Sequence, residues 1–546
     1  MTAAVLVALM VLVGMISPLR APSPSGPAKT DPALQQMAAE HPHTLLPVIV
    51  RVASPSPDGA ERLVERLGGR VTHELPIIGG FSAQVPGSAI PALAKSKDVA
   101  TIWSDGRVHM ASQQGPPGRG APTDVQNTVN MRHALELSTG AGVTVALLDT
   151  GVSQVSDLGD RVLARIDFTP DHNGYDTYGH GTHMAGIIAG DGTASSGAWA
   201  GAAPDANLVS VKVAGADGST DVSIVIAGMQ WIVSHRAQYN IRVLNLSFGT
   251  DATQSYVIDP LDYAVERVWQ SGILVVVAAG NRGPAVGTVN KPGDDPFVVT
   301  VGAADLHNNH NKNDDAVAAF SSVGPTQDGL AKPYLVAPGI RIVSDRAAGS
   351  TIDQLYPKAR IGDSYFKGTG TSQAAAILSG IAALMFQANP RLTPDVAKAA
   401  LLGTTNRDLV GQPGAGDGLV DAYAAVRAAA SGAFLARPAN VGLRAGTGLG
   451  SLEASRGSNH VYADLNGDGV LELVTGEIDV LGNSWSGNSW SGNSWSGNSW
   501  SGYVYEAPRW AMVEWSGNSW SGTSWSGNSW SGNSWSGDSW SGNSWE

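Results

Sequence analysis

Stretches whose apolar residues repeat with the period of a strand or a helix alternate along this chain with stretches that have neither period. Residues Ala3 to Ile16 form an unbroken apolar run of fourteen. That is short of the roughly 20 residues a membrane-spanning helix needs and in the range of an export-signal core. Residues 1–21 are therefore expected to be a signal peptide or an anchor, and 22–43, rich in Pro, Ala and Ser, a linker. Val48–Val52 then reads as a strand and Gly59–Leu67 as an amphipathic helix with Leu63 and Leu67 one turn apart. Phe81, Ala83 and Val85 alternate as a half-buried strand, Ala89–Lys95 is helical in pattern, and Val99–Trp103 is strand-like. Together, residues 44–110 predict a small α+β domain.

From 123 to 430 continuous apolar runs such as Val143–Leu148 and Ile273–Ala279 alternate with helical periods. This pattern predicts a parallel sheet covered on both faces, a three-layer α/β domain. Two polar runs within it, Leu306–Ala316 and Ser344–Phe366, read as surface insertions. The segment 431–480 is expected to be a linker. Within it, His460–Ala463 and Val470–Val474 form a hairpin about Asn-Gly-Asp-Gly, or Asp464, Asn466, Asp468 and Glu472 offer oxygens at calcium-loop spacing.

From 481 to the end the period changes to five. Trp or Tyr occupies every fifth position from Trp485 to Trp545, thirteen in all, including Tyr505 inside a segment that has lost the Ser-Gly-Asn-Ser wording. Five residues fit neither a helix nor a strand. The tail is therefore expected to be either a β-solenoid with five-residue sides or a disordered Gly-Ser-Asn chain carrying indoles that contact glycan or cell-surface polymers.

Composition narrows the function. With 546 residues, 43% hydrophobic and 15% charged, the chain builds several domains with full cores. A net charge of -13 without a basic stripe excludes nucleic acid as a partner. The absence of cysteine removes disulfides, thiolate metal sites and thiol nucleophiles.

A nucleophile must then be sought elsewhere, and a serine hydroxyl needs a base within hydrogen-bond reach and an acid to orient that base. Asp149 in Leu-Leu-Asp-Thr-Gly, His180 in Gly-His-Gly-Thr-His and Ser372 after Gly368-Thr369-Gly370-Thr371 supply the set. Ser372 opens the helix pattern Gln373–Ala388, where free backbone N–H groups favour a developing negative charge. Asn281, closing the run Ala278-Ala279-Gly280, offers a side-chain amide as the second oxyanion donor. Both Asp149 and Asn281 stand at strand carboxyl ends, where ligand sites of parallel sheets gather. His183 and Asp176 read as structural neighbours, and His307 and His310 as residues of a solvated loop.

The chain order Asp, His, Ser and these motifs resemble the subtilisin-like serine peptidases over about 130–428. Asn245-Leu246-Ser247-Phe248-Gly249 is similar to the family's strand beside the first specificity pocket. The resemblance implies that substrate adds to Ser247, Phe248 and Gly249 as an extra β-strand, faced by Ala278, Ala279 and Gly280. Phe248 hints at an apolar preference. Gly80-Phe81-Ser82-Ala83 and Val99–Asp105 resemble the inhibitor-type propeptide of many subtilisins, which implies an intramolecular inhibitor at 44–110 and a cut in the flexible linker 111–122. The likeness as a whole implies a secreted serine endopeptidase acting on proteins or peptides, with no cofactor in the chemistry, no assigned metal ligand, and structural calcium admitted. The competing reading is a surface-binding or scaffold protein acting through the Trp tail, its peptidase fold vestigial. One departure stands beside the nucleophile: Gln373-Ala374-Ala375-Ala376 replaces the usual Met-Ala-Ser-Pro.

Overall fold

The computed structural model describes residues 41–53, 57–75, 78–103, 107–110, 122–307 and 312–448, with residues 30, 34, 38, 39, 309 and 455 and short strand segments beyond 460. The expected export signal at 1–21 and nearly all of the linker 111–122 lie outside the described residues.

The large domain is built on an eight-stranded sheet. Across it run Ala316–Val317, Val299–Asp305, Leu274–Ala278, Ile241–Leu246, Thr144–Asp149, Asn207–Lys212 and Val162–Asp167, and Leu335–Pro338 also pairs with Val299–Asp305. All the pairings are parallel except that of Ala316–Val317, which is antiparallel at one edge. Thr144–Asp149 and Leu274–Ala278 are buried at every residue rather than at alternate ones, as expected of strands covered on both faces. The three-layer α/β expectation holds. Thr371–Ala388 is long and apolar enough to cross a membrane, but every residue from Thr371 to Phe386 is buried inside the domain. A helix apolar on all sides is a core helix when the protein surrounds it.

Thr144–Asp149 sits mid-sheet. The chain adds Val162–Asp167 and Asn207–Lys212 on one side of it, then crosses to place Ile241–Leu246 on the other. Such a reversal opens a crevice at the strand carboxyl ends. Asp149 and Ser247 both lie there, in sequence just at or after the last strand residue.

The small domain is an antiparallel sheet in the order Arg70–Leu75, Gly79–Pro86, Leu45–Val52 and Val99–Trp103, with the helix Asp58–Arg66 against it. Val48, Val50, Phe81, Ala83, Val85 and Val64 form its core. Its third strand departs from the half-buried expectation, because Ser82 and Gln84 on the opposite face are buried too. The reason is tertiary: Ile49, Leu75 and Ile78 of this domain join the core cluster of the large domain. The chain before residue 44 also contributes, since Thr30 bridges Ile102 and Leu34 is buried in the small core.

Other boundaries move in the same way. Residues 432–448 are not a free linker: Ala439 N–H donates to the Asp395 carbonyl at 3.0 Å, and the Asn440 amide bonds the Phe297 carbonyl and the Asp395 carboxylate. Ser344–Phe366 is a surface insertion only in its middle, where residues 354–358 and 362–364 are exposed. It holds a sheet of Ile342–Asp345, Tyr365–Gly368 and Arg360–Ile361, in which Ser344, Asp345, Tyr365 and Phe366 are buried. Tyr462–Ala463 and Glu472–Leu473 pair antiparallel, as the hairpin alternative expects, while the calcium alternative falls on 464–471, outside the described residues. In the tail, Trp500–Glu506 and Arg509–Trp515 pair antiparallel, with Trp500 opposite Trp515 and Tyr505 opposite Trp510. Most of the tail 481–546, on which the solenoid and disordered alternatives bear, lies outside the described residues.

Candidate active site

Asp149 ends its strand and enters a turn whose next two residues make the site. Thr150 N–H donates to Asp149 Oδ1 at 2.8 Å, and Gly151 comes next at φ 102°. The histidine helix His180–Ala189 begins against this turn, and a Cβ at Gly181 would lie 2.2 Å from the Gly151 carbonyl oxygen. Only glycine permits that approach, which gives the Gly-His-Gly word its physical reason. As a result His180 Nδ1 stands 2.7 Å from Asp149 Oδ1, with the two side chains 4% and 1% exposed.

Asp176 fastens the two pieces. Its carboxylate accepts from Gly179 N–H at 2.6 Å, from Thr182 N–H and Oγ1 at 2.7 Å each, and from Thr150 Oγ1 at 2.8 Å. The structural role expected of Asp176 is thus seen in detail. Burial disfavours the His180 imidazolium, but the Asp149 charge and hydrogen bond, with Asp176 behind, outweigh it and hold His180 above its ordinary value. His183, one turn along, is pushed down to about 3 by burial and by His180, and is neutral.

Ser372 is the second residue of Thr371–Ala388, so its N–H is one of the donors a helix start leaves without an intrahelical partner. Its Oγ donates to the Ser247 carbonyl at 3.1 Å, while Ser247 Oγ reaches the Ser372 carbonyl at 3.4 Å. Deeper in, Ser379 Oγ donates to Asn245 Oδ1 and Asn245 Nδ2 to Ser247 Oγ, at 2.9 and 2.8 Å. The helix Thr371–Ala388 and the segment Asn245–Gly249 are therefore cross-tied. His180 Nε2 is buried with no hydrogen-bond partner among the described residues.

Asn281 is held by a residue that sequence reasoning did not single out. Thr371 N–H and Oγ1 both donate to Asn281 Oδ1 at 2.9 Å, which commits the amide oxygen and turns Nδ2 the other way. The structure thus brings Asp149, His180, Ser372 and Asn281 to one crevice.

The residues expected to wall the pocket differ in kind. Ala278, Ala279 and Gly280 are buried at the end of their strand, and Gly249 lies against the Lys291 carbonyl. Phe248 corrects the expectation: its side chain is 1% exposed and belongs to the core cluster, so this residue lends the cleft its backbone and carries no hint of preference. Asn290 was not anticipated. A Cβ at Gly249 would lie 2.8 Å from Asn290 Cβ and one at Gly280 2.8 Å from its amide carbon, which places Asn290 between the two walls. No local signal marks it, because its neighbours are 41 and 10 residues away in sequence. Among the described residues, no group of three or more His, Asp or Glu side chains is placed to hold a metal ion.

Backbone from the small domain enters this crevice. Arg107–Met110 pairs antiparallel with Phe248–Gly249, Met110 opposite Phe248 and His109 opposite Gly249. On its other side it pairs with Ser219–Asp221, making the middle strand of a three-stranded sheet.

The sequence profile of the Subtilase family matches residues 140–425. Serine protease AprX of Bacillus subtilis is 44% identical over 279 residues, 49% of this chain and 62% of that protein's length. M-protease of Shouchella clausii is 34% identical over 360 residues, 65% of this chain and 81% of its own. The chain thus spans less than two thirds of AprX. Among solved structures, fervidolysin of Fervidobacterium pennivorans, described as a keratinolytic enzyme related to subtilisin, superposes with a TM-score of 0.55 at 23% identity, covering 71% of this chain and 63% of that one. That likeness bears on the fold alone. With the family profile on more than half of its residues and the Asp, His and Ser words at the crevice, the chain belongs to the subtilase family of serine peptidases.

Proposed function

We propose that this protein is a secreted serine endopeptidase, made as a zymogen, that hydrolyses peptide bonds through an acyl-enzyme on Ser372. The observation that carries the reading is the buried 2.7 Å contact of His180 Nδ1 with Asp149, beside a serine at a helix start. Ser372 Oγ leaves the Ser247 carbonyl, gives its proton to His180 Nε2 and attacks the substrate carbonyl. Asp149 keeps the proton of Nδ1 in place and stabilises the imidazolium. The Ser372 N–H and the Asn281 amide receive the oxyanion. Collapse expels the amine, which takes the proton from His180, and water repeats the cycle to free the acid. No metal or cofactor enters these steps.

The zymogen reading is supported by the strand Arg107–Met110, which occupies the place of a substrate strand between Phe248–Gly249 and Ser219–Asp221. The small domain is then the intramolecular inhibitor, covering the large one with Ile49, Leu75 and Ile78. Export rests on the apolar run at residues 3–16.

Intact mass and N-terminal sequencing of the full chain beside its Ser372→Ala variant test this. Self-cleavage shortly after Met110, within 111–122, is expected in the wild type alone. Two intact, folded proteins would overturn it. The competing surface-binding role would then fall to the Trp tail. Retention of the full chain on insoluble glycan, lost on removal of 481–546, is the result that favours tail contacts as a second activity.

A further inference from the structure

The segment after the peptidase domain passes between that domain and the small one. Arg444–Gly448 lies along the helix Pro260–Gln270. Tyr256 Oη donates to the Arg444 carbonyl at 3.1 Å, and Gly446 N–H donates to Glu266 Oε1 and Oε2 at 2.7 and 2.9 Å. Thr447 N–H and Oγ1 both reach the Val257 carbonyl, at 2.6 and 2.8 Å. Further on, Thr250 Oγ1 donates to the Ser455 carbonyl at 2.6 Å, and Ser455 Oγ donates to Asp259 Oδ1 at 2.9 Å. The segment is built for this position. Gly448 has φ 56°, and a Cβ there would lie 2.8 Å from the Tyr263 ring.

One contact from the small domain meets it. Arg51, in the strand Leu45–Val52, donates through Nη1 to the Thr447 carbonyl, and its guanidinium lies over the Tyr263 ring at 5.4 Å. Arg267 also lies over that ring, at 4.7 Å. Two cations at one ring repel each other, and burial adds to the cost of the Arg51 charge. The Thr447 carbonyl supplies the acceptor that offsets it.

We propose that Arg444–Gly448 is a latch for the small domain: it completes the docking surface by packing Gly448 on the Tyr263 ring and holds Arg51, which lies over that ring, through the Thr447 carbonyl. The partner of this surface is the protein's own N-terminal domain, and the proposal deepens the zymogen reading on which it rests. In the precursor the small domain is held through Arg107–Met110 in the cleft, through the apolar contacts of Ile49, Leu75 and Ile78, through the pairing of Gly79–Pro86 with Trp485–Asn488, and through Arg51 at the latch. After a cut beyond Met110, the latch delays its departure. Release of the N-terminal domain is in this way coupled to the segment that carries the Trp tail.

The test uses the full chain with Ser372→Ala, alone and with Arg51→Met, Gly448→Val or both. Each protein is nicked within 111–122 by an added protease, and the rate at which the N-terminal domain leaves is tracked by size-exclusion sampling. Arg51→Met removes the charge and leaves the peptidase domain untouched, so it decides the matter even if Gly448→Val disturbs folding. Each single variant is expected to speed release about tenfold, the size of a lost charge-assisted hydrogen bond with its ring contact. The double variant should add little to either, because both remove one interaction. Unchanged release in Arg51→Met, or fully additive effects, would overturn the latch. Absence of self-cleavage in the chain that keeps Ser372 would instead count against the zymogen reading, and faster release in Arg51→Met would still stand.

Discussion

Two of the buried ionic groups among the described residues of this domain differ in what they leave unpaired. At the crevice, one carboxylate faces one imidazole across 2.7 Å, and the reactive nitrogen His180 Nε2 has no partner among the described residues. Behind the segment Asn245–Gly249, Lys291 Nζ is enclosed by Asp262 and Asp294 at 2.6 Å each and by Asp259 at 3.8 Å, all of them buried. Burial opposes the Lys291 charge, yet the three carboxylates hold it well above its ordinary value. The same cluster continues to Glu266, pushed up to about 9 by burial and by Asp295. Lys332, brought down to about 7 mainly by burial, donates to the Asp295 carbonyl and to Thr300 Oγ1. The crevice leaves an imidazole nitrogen unpartnered, whereas the lysine cluster surrounds its cation, leaves only carboxylate oxygens (Asp262 Oδ1, Asp294 Oδ1 and Asp295 Oδ2) without a partner among the described residues, and joins Pro260–Gln270 to the loop beyond Asn281.

The comparison can be broken at either group. Ser372→Ala should abolish turnover, by roughly 10⁶-fold in kcat if the loss matches that known for the subtilisin triad, with the melting temperature nearly unchanged. Lys291→Met should do the reverse. Removing one partner of a buried ion cluster leaves carboxylates uncompensated and costs about 3–5 kcal/mol, seen as a lower denaturant midpoint with kcat per folded molecule retained. A loss of kcat without a loss of stability would show that the cluster acts on the chemistry. Asn281→Ala should lower kcat by about 10² to 10³ with little change in KM, because the amide meets charge that exists only in the transition state. An equal rise in KM would place Asn281 in ground-state binding instead.

The pH dependence separates the groups more finely. His180 works as a base only when neutral, and its raised value moves the acid limb of kcat/KM to a higher pH than an ordinary imidazole would give. Asp149→Asn should move that limb down while lowering its plateau. A raised folded value also means that His180 contributes stability below its unfolded value and loses that contribution as pH rises through the folded one. The triad is therefore least stabilised where it is most active. His183 behaves oppositely: held neutral down to about 3, it costs stability as pH falls below the ordinary imidazole value. His183→Gln should flatten acid unfolding between those values, and an unchanged acid midpoint would remove His183 from that account.

The words Asp-Thr-Gly, Gly-His-Gly-Thr-His and Gly-Thr-Ser were legible because each residue of the triad ends a strand or starts a helix, and its neighbours in sequence build its turn. The parallel sheet was legible for a similar reason, since strands buried on both faces read as unbroken apolar runs. The half-buried expectation for Phe81–Val85 failed because the covering face belongs to another domain. Phe248 was misread because a two-residue strand carries no period from which to tell core from cleft.

By itself the sequence determined the family words and the layer architecture, both of which arise from contacts within a few residues of each motif. The tertiary structure alone decided that Thr371 orients Asn281, that Asn290 lies between the pocket walls, that Lys291 gathers three aspartates, and that Arg51 meets Thr447 from 396 residues away. Such contacts join separate segments only after the sheet has set their positions, and no spacing along the chain records them.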